Sequence, residues 1–392
     1  MESARITNCS ACGKSDLEIA IELPKLPVTS VFLAKASSSE KYFFDQGLCI
    51  CRSCSHAQLS NCIDPQRIYD NTYFHRSSES AISREGNKNF SSFIRKVAHE
   101  RKFRCLLEVG ANDLFLLNLL SDLADIQIAV DPIWKYETPP ATSKSLVLGK
   151  FVEELNLKDV PEKPDIIISA QTFEHVEKPA EQLGKLVELA ADGALIFLEV
   201  PDFESLIRNL RFDQIFHQHI QYYSLQSLLG IFLRLGCEYV DHVVNYRYWG
   251  GSLGVAVRKK SPTIKRLQQS NIDPDHVKSS FLSMQQQMER LMIQVSSASV
   301  DTIYGYGAAQ MVPTIAYHLK TDLSFLKAII DDNVKRSGFY YPGLKPRTTV
   351  TPSLETFGDS CVLITAIDSA RPIFQKVSHL NPRHIFIPFN RL

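Results

Sequence analysis

The stretch Leu106-Leu107-Glu108-Val109-Gly110-Ala111-Asn112-Asp113-Leu114 decides the fold of this chain. An apolar run of strand length ends in a glycine, and a helical pattern begins directly after it. Because Gly110 has no Cβ atom, a ligand can approach the backbone at this turn. The next apolar run, Ile126–Val130, ends in Asp131, whose carboxylate could accept hydrogen bonds from a ribose. This order of strand, glycine turn, helix and acid predicts a site for a nucleoside cofactor.

Apolar runs alternate with helical patterns from this stretch to about residue 260. Strands that alternate with helices at this spacing predict a parallel sheet, which places the chain in the α/β class. Two further strands are expected around the turn Trp249-Gly250-Gly251. The predicted strands are Cys105–Val109, Ile126–Val130, Asp165–Ala170, Ala194–Val200, Tyr239–Val244 and Ser252–Arg258, and the predicted helices are Leu114–Leu123, Pro179–Ala190 and Leu225–Leu235.

A second alternation of strands and helices begins near residue 302, after a polar helical segment that links it to the first. Its first strand runs into Gly305, Tyr306 and Gly307, and Asp331 ends the next strand. Such a turn can hold a phosphate at a helix N-terminus, although any similar turn gives the same pattern. The predicted domains are a loop-rich module at 1–70, a larger unit at 71–260, and the linking helix with a smaller unit at 261–392.

The composition limits the partners of the protein. The 392 residues contain 43 Lys and Arg against 43 Asp and Glu, so the formal net charge is zero. Without a basic block, the sequence gives no sign of binding nucleic acid or an anionic membrane. The N-terminus lacks a signal pattern, and no apolar run approaches the roughly 20 residues that span a bilayer. We therefore expect a cytoplasmic protein that binds small molecules or other proteins.

Six of the nine cysteines lie in the first 62 residues, and four of them form two Cys-x-x-Cys motifs. Cys9 pairs with Cys12, and Cys51 pairs with Cys54. Two such turns that meet form a tetrahedral four-sulfur site suited to structural Zn²⁺. Cys49 could replace Cys51 as a ligand, and reduced cysteines without metal are the alternative.

The single glycine at residue 110 distinguishes between two cofactors. Enzymes that bind a dinucleotide need further glycines to admit a pyrophosphate, whereas S-adenosylmethionine has none. The pattern therefore favours S-adenosylmethionine over NAD, and a tight turn without a ligand is the alternative. The candidate cofactor contacts lie at the carboxyl ends of the first three strands and are Glu108, Gly110, Asn112, Asp113, Asp131, Gln171 and His175.

The segment Phe216-His217-Gln218-His219, followed by Tyr222, is the densest group of titratable side chains. Histidine is the side chain most readily poised as a general base near neutral pH. The alternative is a loop held by hydrogen bonds without a catalytic role. Likewise, Trp249, Gly250 and Gly251 could let a substrate approach the backbone or could form only a hairpin turn.

Taken in order, these motifs resemble the S-adenosylmethionine-dependent C-methyltransferases of nucleotide-linked deoxysugars, over essentially the whole chain. The resemblance implies a small N-terminal zinc-binding module, a central Rossmann-like class I methyltransferase domain, and a C-terminal Rossmann-like α/β domain that helps to bind the nucleotide-sugar. The matching stretches are Cys9–Cys12 with Cys51–Cys54, Glu108–Asp113, Glu199–Pro201, His217–His219, Gly250–Leu253 and Gly305–Ala308.

The same resemblance implies a reaction and roles for residues. A base removes the proton beside the ketone of a nucleotide-linked keto-sugar, and the enolate then takes the methyl group. His219 is the expected base, with Gln218 in the same catalytic loop and with His217 or Tyr222 holding the enolate oxygen. The expected substrate contacts are Tyr73, Trp249, Gly250, Gly251, Gly305, Tyr306, Gly307 and Asp331.

Three positions depart from the pattern of that family. The family's loop usually reads Tyr-His-Glu-His, whereas this chain has Phe216 and Gln218, and Leu114 replaces a glycine of the cofactor turn. Glutamine cannot carry a proton, so the base would be His219 alone, or the reaction would differ. Two other functions stay open: an NAD-dependent oxidoreductase or epimerase that uses the turn at 305–307, and a nucleotide-sugar-binding protein that has lost methyl transfer.

Overall fold

A computed structural model describes residues 4–63, 76–99, 101–139, 145–260, 272–350 and 356–389. Tyr73, a predicted substrate contact, lies outside the described residues. The strands are β1 (Ala4–Arg5), β2 (Leu17–Pro27), β3 (Phe43–Cys51), β4 (Ala57–Leu59), β5 (Asn61–Cys62), β6 (Phe103–Val109), β7 (Ala124–Val130), β8 (Leu146–Leu148), β9 (Ile166–Ala170), β10 (Leu195–Pro201), β11 (Gln221–Tyr222), β12 (Cys237–Asn245), β13 (Ser252–Lys259), β14 (Ile303–Tyr306), β15 (Leu326–Asp331), β16 (Thr348–Val350), β17 (Cys361–Ile364) and β18 (Ile385–Phe386). The helices are α1 (Ala81–Ala98), α2 (Phe115–Leu119), α3 (Pro179–Leu189), α4 (Phe203–Arg208), α5 (Leu225–Arg234), α6 (Pro274–Ser297), α7 (Val312–His318) and α8 (Ala370–Ser378). None of these helices combines the length and the apolar character that crossing a membrane requires.

The central sheet has seven strands in the order β12-β13-β10-β9-β6-β7-β8. Strands β10, β9, β6, β7 and β8 are parallel, and β13 is antiparallel to both of its neighbours. The near-continuous apolar strands explain this arrangement, because a parallel sheet is covered by helices on both faces. The chain order reverses between β6 and β9, and such a reversal opens a crevice at the carboxyl ends of the strands. The predicted strands and helices are therefore largely confirmed.

Helix α2 is shorter than the helix predicted at Leu114–Leu123. The structure gives Phe115–Leu119. Leu114 has a left-handed backbone with φ of 65°, which a residue inside an α-helix cannot adopt. The predicted helix start at Leu114 is therefore wrong, and this leucine belongs to the turn instead.

The N-terminal segment contains a sheet rather than the loop-rich module predicted from its prolines. The strand order is β11-β4-β3-β2, so β2 is an edge strand. Its pairing with β3 shifts register between Leu23 and Leu26, on either side of Pro24. Because proline is tolerated at edges and bulges, Pro24 and Pro27 do not break the strand. The fourth strand, β11, comes from the segment that follows the central sheet, with Gln221 paired to Gln58.

The C-terminal residues form a separate sheet of five parallel strands in the order β16-β15-β14-β17-β18. Helix α6 buries Phe281, Met284, Met288 and Leu291 on one face. These side chains join one core with residues of β2, α4 and α7. The boundaries at 70 and 260 stay a prediction, since β11 already connects the first two units.

Candidate functional site

The glycine turn after β6 is fixed by contacts on two sides. Gly110 has φ of 76°, and a Cβ atom there would lie 1.9 Å from Oγ1 of Thr172. The Gly110 N–H donates to the carbonyl of Val130 (2.8 Å). From the other side, the Ser169 hydroxyl donates to the carbonyl of Val109 (2.7 Å). The turn therefore has a defined shape that only glycine permits.

Asp131 shapes the same turn from the end of β7. Its carboxylate accepts the N–H groups of Asn112 (2.8 Å) and Ile133 (2.9 Å). Burial raises the pKa of Asp131. Asn112 in turn accepts the N–H of Ser77 (3.1 Å), and Asp113 accepts that of Ser78 (2.9 Å). The structure thus brings four predicted cofactor contacts together at one crevice: Gly110, Asn112, Asp113 and Asp131.

Glu108 lies beneath this turn and provides a test of whether the crevice fits a cofactor. Its side chain is only 2% exposed, and Oε2 has no hydrogen-bond partner. Burial, together with Asp131 and Asp113, raises the pKa of Glu108 well above its usual range. A buried polar atom without a partner is costly, so a bound group that donates a hydrogen bond would be favoured here. The amine and hydroxyl groups of S-adenosylmethionine are donors of this kind.

Two histidines meet at the carboxyl end of β9. The ring centroids of His175 and His219 are 4.9 Å apart, and the ring of Phe216 lies 4.0 Å from that of His219. His175 Nδ1 donates to the carbonyl of Gln218 (2.7 Å), and its Nε2 lies on the other side of the ring. Glu174 Oε1 lies 3.8 Å from that Nε2. One titratable atom from each of Glu174, His175 and His219 lies within 4.8 Å of the other two.

Burial sets the protonation of this cluster. It lowers the pKa of His219 well below its usual range, and His175 lowers it further. Burial also raises the pKa of Glu174 to about 8. At pH 7 the site therefore combines an imidazole in its neutral form with a carboxyl group that retains its proton.

Glu174 and Glu199 also join the site, although only Glu199 belongs to a stretch that matches the family and neither is among the predicted catalytic or cofactor contacts. Glu199, on β10, accepts the hydroxyl of Ser252 (2.7 Å), and burial raises the pKa of Glu199 to about 7. Gln171 N–H donates to the Glu199 carbonyl (2.8 Å), so the predicted contact Gln171 lies beside it. Both glutamates stand at or just after the end of a predicted strand, and this position is the signal that could have identified them.

The other three predicted catalytic residues point away from His219. His217 is 1% exposed, and its ring lies between the carbonyl of Leu26 (2.9 Å) and the side chain of Gln46 (3.4 Å). Tyr222 is buried, and its hydroxyl is 3.4 Å from the carbonyl of Gln214. Gln218 exchanges two hydrogen bonds with Thr29, accepting from its hydroxyl (2.8 Å) and donating to its carbonyl (3.2 Å). A catalytic role for these three residues stays a prediction that this geometry does not favour.

The turn at Trp249, Gly250 and Gly251 packs on helix α4. Gly251 has φ of 137°, and a Cβ atom there would lie 2.3 Å from Cβ of Ser205. The turn borders a cleft, so a tight hairpin and an approach to ligand are both compatible with it. The cleft is lined by Pro201, Asp202, Leu206, Arg211, Gln214, Trp249, Gly250 and Gly251.

The C-terminal sheet repeats the geometry of the first glycine turn. Gly307 has φ of 101°, and a Cβ atom there would lie 2.3 Å from that of Ala366. Thr365 donates its hydroxyl to the Gly307 carbonyl (2.7 Å), and Asp331 accepts the N–H of Ala308 (2.6 Å). Tyr306 is buried and donates to Asp332 (2.9 Å), and Gly305 packs against Ile329 and Leu326. Of the predicted contacts here, Gly307 and Asp331 therefore shape the turn.

The four cysteines of the two motifs lie together. The sulfur atoms of Cys9 and Cys54 are 3.6 Å apart, as are those of Cys12 and Cys51. All four lie within 4.8 Å of one another. Tetrahedral Zn²⁺ with bonds of about 2.3 Å sets its sulfurs about 3.8 Å apart. The cluster therefore fits structural zinc, and Cys51 rather than Cys49 belongs to it.

The sheet order and the glycine turn beside an acid agree with the S-adenosylmethionine-dependent methyltransferase domain that the sequence comparisons show. A family model described as "Methyltransferase domain" matches residues 82–242, and one described as "Putative zinc binding domain" matches residues 9–69. Both cofactor predictions, S-adenosylmethionine and zinc, are thereby confirmed.

Among curated proteins, the chain is similar to the C-methyltransferase NovU of Streptomyces niveus. The two are 25% identical over 261 residues, which cover 64% of this chain and 60% of the relative. The match thus spans less than two thirds of that protein.

Among solved structures, the chain is similar to the N-methyltransferase NodS of Bradyrhizobium japonicum in complex with S-adenosyl-L-homocysteine. NodS is 14% identical with a TM-score of 0.34, and the match covers 50% of this chain and 92% of NodS. The YcgJ protein of Bacillus subtilis is 11% identical with a TM-score of 0.36, covering 45% of this chain and 100% of YcgJ.

Proposed function

We propose that the protein transfers a methyl group from S-adenosylmethionine to the carbon beside the ketone of a nucleotide-linked keto-deoxysugar. The observation that carries the proposal is the position of His219. Its neutral imidazole lies beside His175 and Glu174, at the carboxyl ends of the strands that also hold the glycine turn. The similarity to a protein named as a C-methyltransferase supports transfer to carbon.

His219 acts as the base in this proposal. The carbon–hydrogen bond beside the ketone breaks, its proton moves to a ring nitrogen of His219, and the electron pair passes toward the ketone oxygen. Bound S-adenosylmethionine supplies an activated methyl group on its sulfonium. The chain must therefore only orient the substrate, exclude water and accept the proton.

Glu174 and His175 prepare the site for this step. The hydrogen bond from His175 to the Gln218 carbonyl fixes the ring of His175 against that of His219. Glu174, with its pKa near 8, retains a proton at pH 7 and can donate a hydrogen bond to the enolate oxygen. This assigns to Glu174 the role that the family pattern gives to His217 or Tyr222, both of which are buried elsewhere.

The C-terminal unit is proposed to bind the nucleotide part of the substrate as a Rossmann-like domain. Support comes from a similar arrangement at the two turns: Gly110 and Gly307 each donate to the residue before the acid of the next strand, Val130 and Ile330. In each turn that acid accepts a backbone N–H after the glycine and a hydroxyl donates to a carbonyl of the turn, at positions shifted by one residue between the two turns. The turn lies at the carboxyl ends of parallel strands, where open α/β sheets bind their ligands.

Two measurements with the purified protein test the proposal. The first incubates it with methyl-labelled S-adenosylmethionine and a panel of nucleotide-linked keto-sugars, and methylated product is expected with at least one. The second replaces the donor with S-adenosylhomocysteine in heavy water, where deuterium should enter beside the ketone without methylation. A His219→Gln variant should retain cofactor binding and lose both signals by 10²-fold or more, roughly the worth of a general base.

Other outcomes would favour other functions. Bound S-adenosylmethionine without product or exchange for any keto-sugar would contradict the proposal. Reduction of NAD⁺ with a nucleotide-sugar would point to an oxidoreductase instead. Tight nucleotide-sugar binding without turnover would point to a binding protein.

A further inference from the structure

The side chain of Gln221 joins three segments of the chain. Its Oε1 accepts the hydroxyl of Ser10 (2.7 Å) and the Nε2–H of His56 (2.9 Å). Its Nε2 donates to the carbonyls of Val176 (3.0 Å) and Glu177 (3.2 Å). The residue is 1% exposed. An amide offers two donors and two acceptor sites, so every hydrogen-bonding position of this side chain is filled.

The acceptor end of Gln221 contacts both halves of the zinc site. Ser10 lies inside the first Cys-x-x-Cys turn, between Cys9 and Cys12, and His56 follows Cys54 by two residues. Ser10 is fixed further by Gln58, which accepts its N–H (2.8 Å). The position of Gln221 Oε1 therefore depends on how the two cysteine turns are held together.

The donor end of Gln221 contacts the loop that carries His175. Val176 and Glu177 come directly after His175 in the chain. The carbonyl of Gln218, three residues before Gln221, accepts the hydrogen bond from His175 Nδ1 (2.7 Å). Residues 218–221 thus hold His175 from two sides and include His219 itself.

We propose that Gln221 is a positioning residue that transmits the order of the zinc site to His175 and His219. Zinc bound by the four cysteines holds Ser10 and His56 in place, these hold the Gln221 amide, and the amide holds the backbone at 176–177. Zinc binding then orders the loop that carries His175 and His219 as well as the N-terminal sheet itself. The proposal depends on the proposed function only for the catalytic role of His219.

The variant Gln221→Glu tests the contacts of Gln221 Nε2 with the loop separately from the contacts of Oε1 with the zinc module. The variant keeps an acceptor for Ser10 and His56 but sets a carboxylate oxygen against the two carbonyls, so the loop contact is lost. Gln182→Glu is the control, because Gln182 is buried to a similar extent (2% exposed) on helix α3 and its Oε1 accepts no hydrogen bond from the zinc module. Ser10→Ala is a milder variant that removes a hydroxyl at the zinc end, which contacts Oε1 of Gln221 (2.7 Å) and Oε1 of Gln58 (3.0 Å).

Hydrogen exchange of the zinc-loaded full chain, followed by mass spectrometry, is the test that needs no substrate. In Gln221→Glu, amides 173–177 should exchange roughly tenfold faster while 9–12 and 51–54 stay protected. Ser10→Ala should give a smaller increase at 173–177, and Gln182→Glu should give none. Unchanged exchange at 173–177 in both Gln221→Glu and Ser10→Ala would overturn the proposal.

Kinetics provide a second readout once a substrate is known. Gln221→Glu should lower kcat with little change in the KM for S-adenosylmethionine. Because a smaller folded fraction also lowers the apparent kcat at unchanged KM, kcat is expressed per S-adenosylhomocysteine-binding site, counted by calorimetric titration. If the exchange result holds but no methyl transfer is found, the connection stands and the proposed function fails. If methyl transfer is found but the exchange result fails, only the connection is rejected.

Discussion

At the scale of single residues, Gln218 shows how hydrogen-bond partners limit what a position can do. Its amide donates to the Thr29 carbonyl and accepts from the Thr29 hydroxyl, in a place that is 6% exposed. A glutamate here would turn a second oxygen toward that carbonyl and would have to be desolvated. The glutamine therefore suits the contact between the loop and the N-terminal sheet.

This contact predicts the effect of Gln218→Glu. The free energy of unfolding should fall by about 1–3 kcal/mol, because a buried carboxylate faces a carbonyl without a donor. Urea unfolding measures this change in the free energy of unfolding. The control Gln182→Glu measures how much stability is lost when a buried carboxylate is introduced away from Thr29. A variant as stable as the unchanged protein and faster in turnover would mean that the loop has another arrangement.

Glu174 and Glu199 make stability depend on pH. Both carboxyls have a raised pKa in the folded state, to about 8 and about 7, against an ordinary value of 4.5. Their favourable contribution is complete below pH 4.5 and is lost as the pH rises toward 7–8. Relative to the unchanged protein, Glu174→Gln and Glu199→Gln should therefore gain stability steadily between pH 5 and pH 8.

Chemical unfolding at several pH values measures how the free energy of unfolding changes with pH. Glu188 is exposed, so the curve for the control Glu188→Gln should run parallel to that of the unchanged protein. Parallel curves for the two buried positions as well would show that their carboxyls are already ionised in the folded state at pH 5.

At the scale of elements, the glycine turn after β6 depends on the loop after β9. Gly110 and Gly193 have almost the same backbone, with φ of 76° and 77°, yet a Cβ atom on Gly193 would meet nothing within 4 Å. Gly193→Ala should then cost only the roughly 1–2 kcal/mol of a left-handed alanine. Gly110→Ala should cost more and abolish binding of S-adenosylhomocysteine, because Thr172 must move.

Calorimetric titration with S-adenosylhomocysteine, beside unfolding of both variants, measures the difference. Equal stability losses for the two variants, with binding intact in both, would show that the contact between Gly110 and Thr172 does not shape the site.

The individual strands also show which parts of this structure can be predicted from the sequence and which cannot. Strands such as β9 are nearly all apolar, so a parallel sheet and its glycine turn could be predicted, and with them Asp131. Strand β2 could not, because Pro24 and Lys25 interrupt its pattern at an edge where a bulge tolerates them. Within the site, the sequence pattern could select His219 as a candidate, and its role as a base stays a prediction. The burial that raises the pKa of Glu174 depends on packing between distant segments, which no local pattern records.

At the scale of the whole molecule, Arg211 ties the central and C-terminal units together. Its guanidinium donates to both carboxylate oxygens of Asp213 (2.8 and 2.9 Å) and to Asp368 (3.0 Å), and it lies over the ring of Phe389. The side chain is 9% exposed. Removing one partner of a buried ion pair leaves charges without compensation, which costs several kcal/mol.

Arg211→Gln should therefore lower the free energy of unfolding by about 3–5 kcal/mol. Lys320→Gln is the control, since its pair with Glu289 is exposed and worth about 0–1 kcal/mol. Thermal and urea unfolding compare the two. Similar small losses for both variants would mean that Arg211 is solvated rather than buried between the units.

Strand β11 has a consequence for how the chain folds during its synthesis. The four cysteines of the zinc site and strands β2 to β4 have been synthesised once the ribosome reaches residue 59. The fourth strand of the same sheet, β11, ends only at Tyr222. At 5–20 residues per second, the ribosome needs roughly 8–30 s to make the intervening segment. Zinc can therefore assemble the N-terminal sheet early, with one edge left open until β11 emerges. The strand that pairs with that edge carries Gln221, so the ribosome completes the residues of the zinc site before those of the His219 loop.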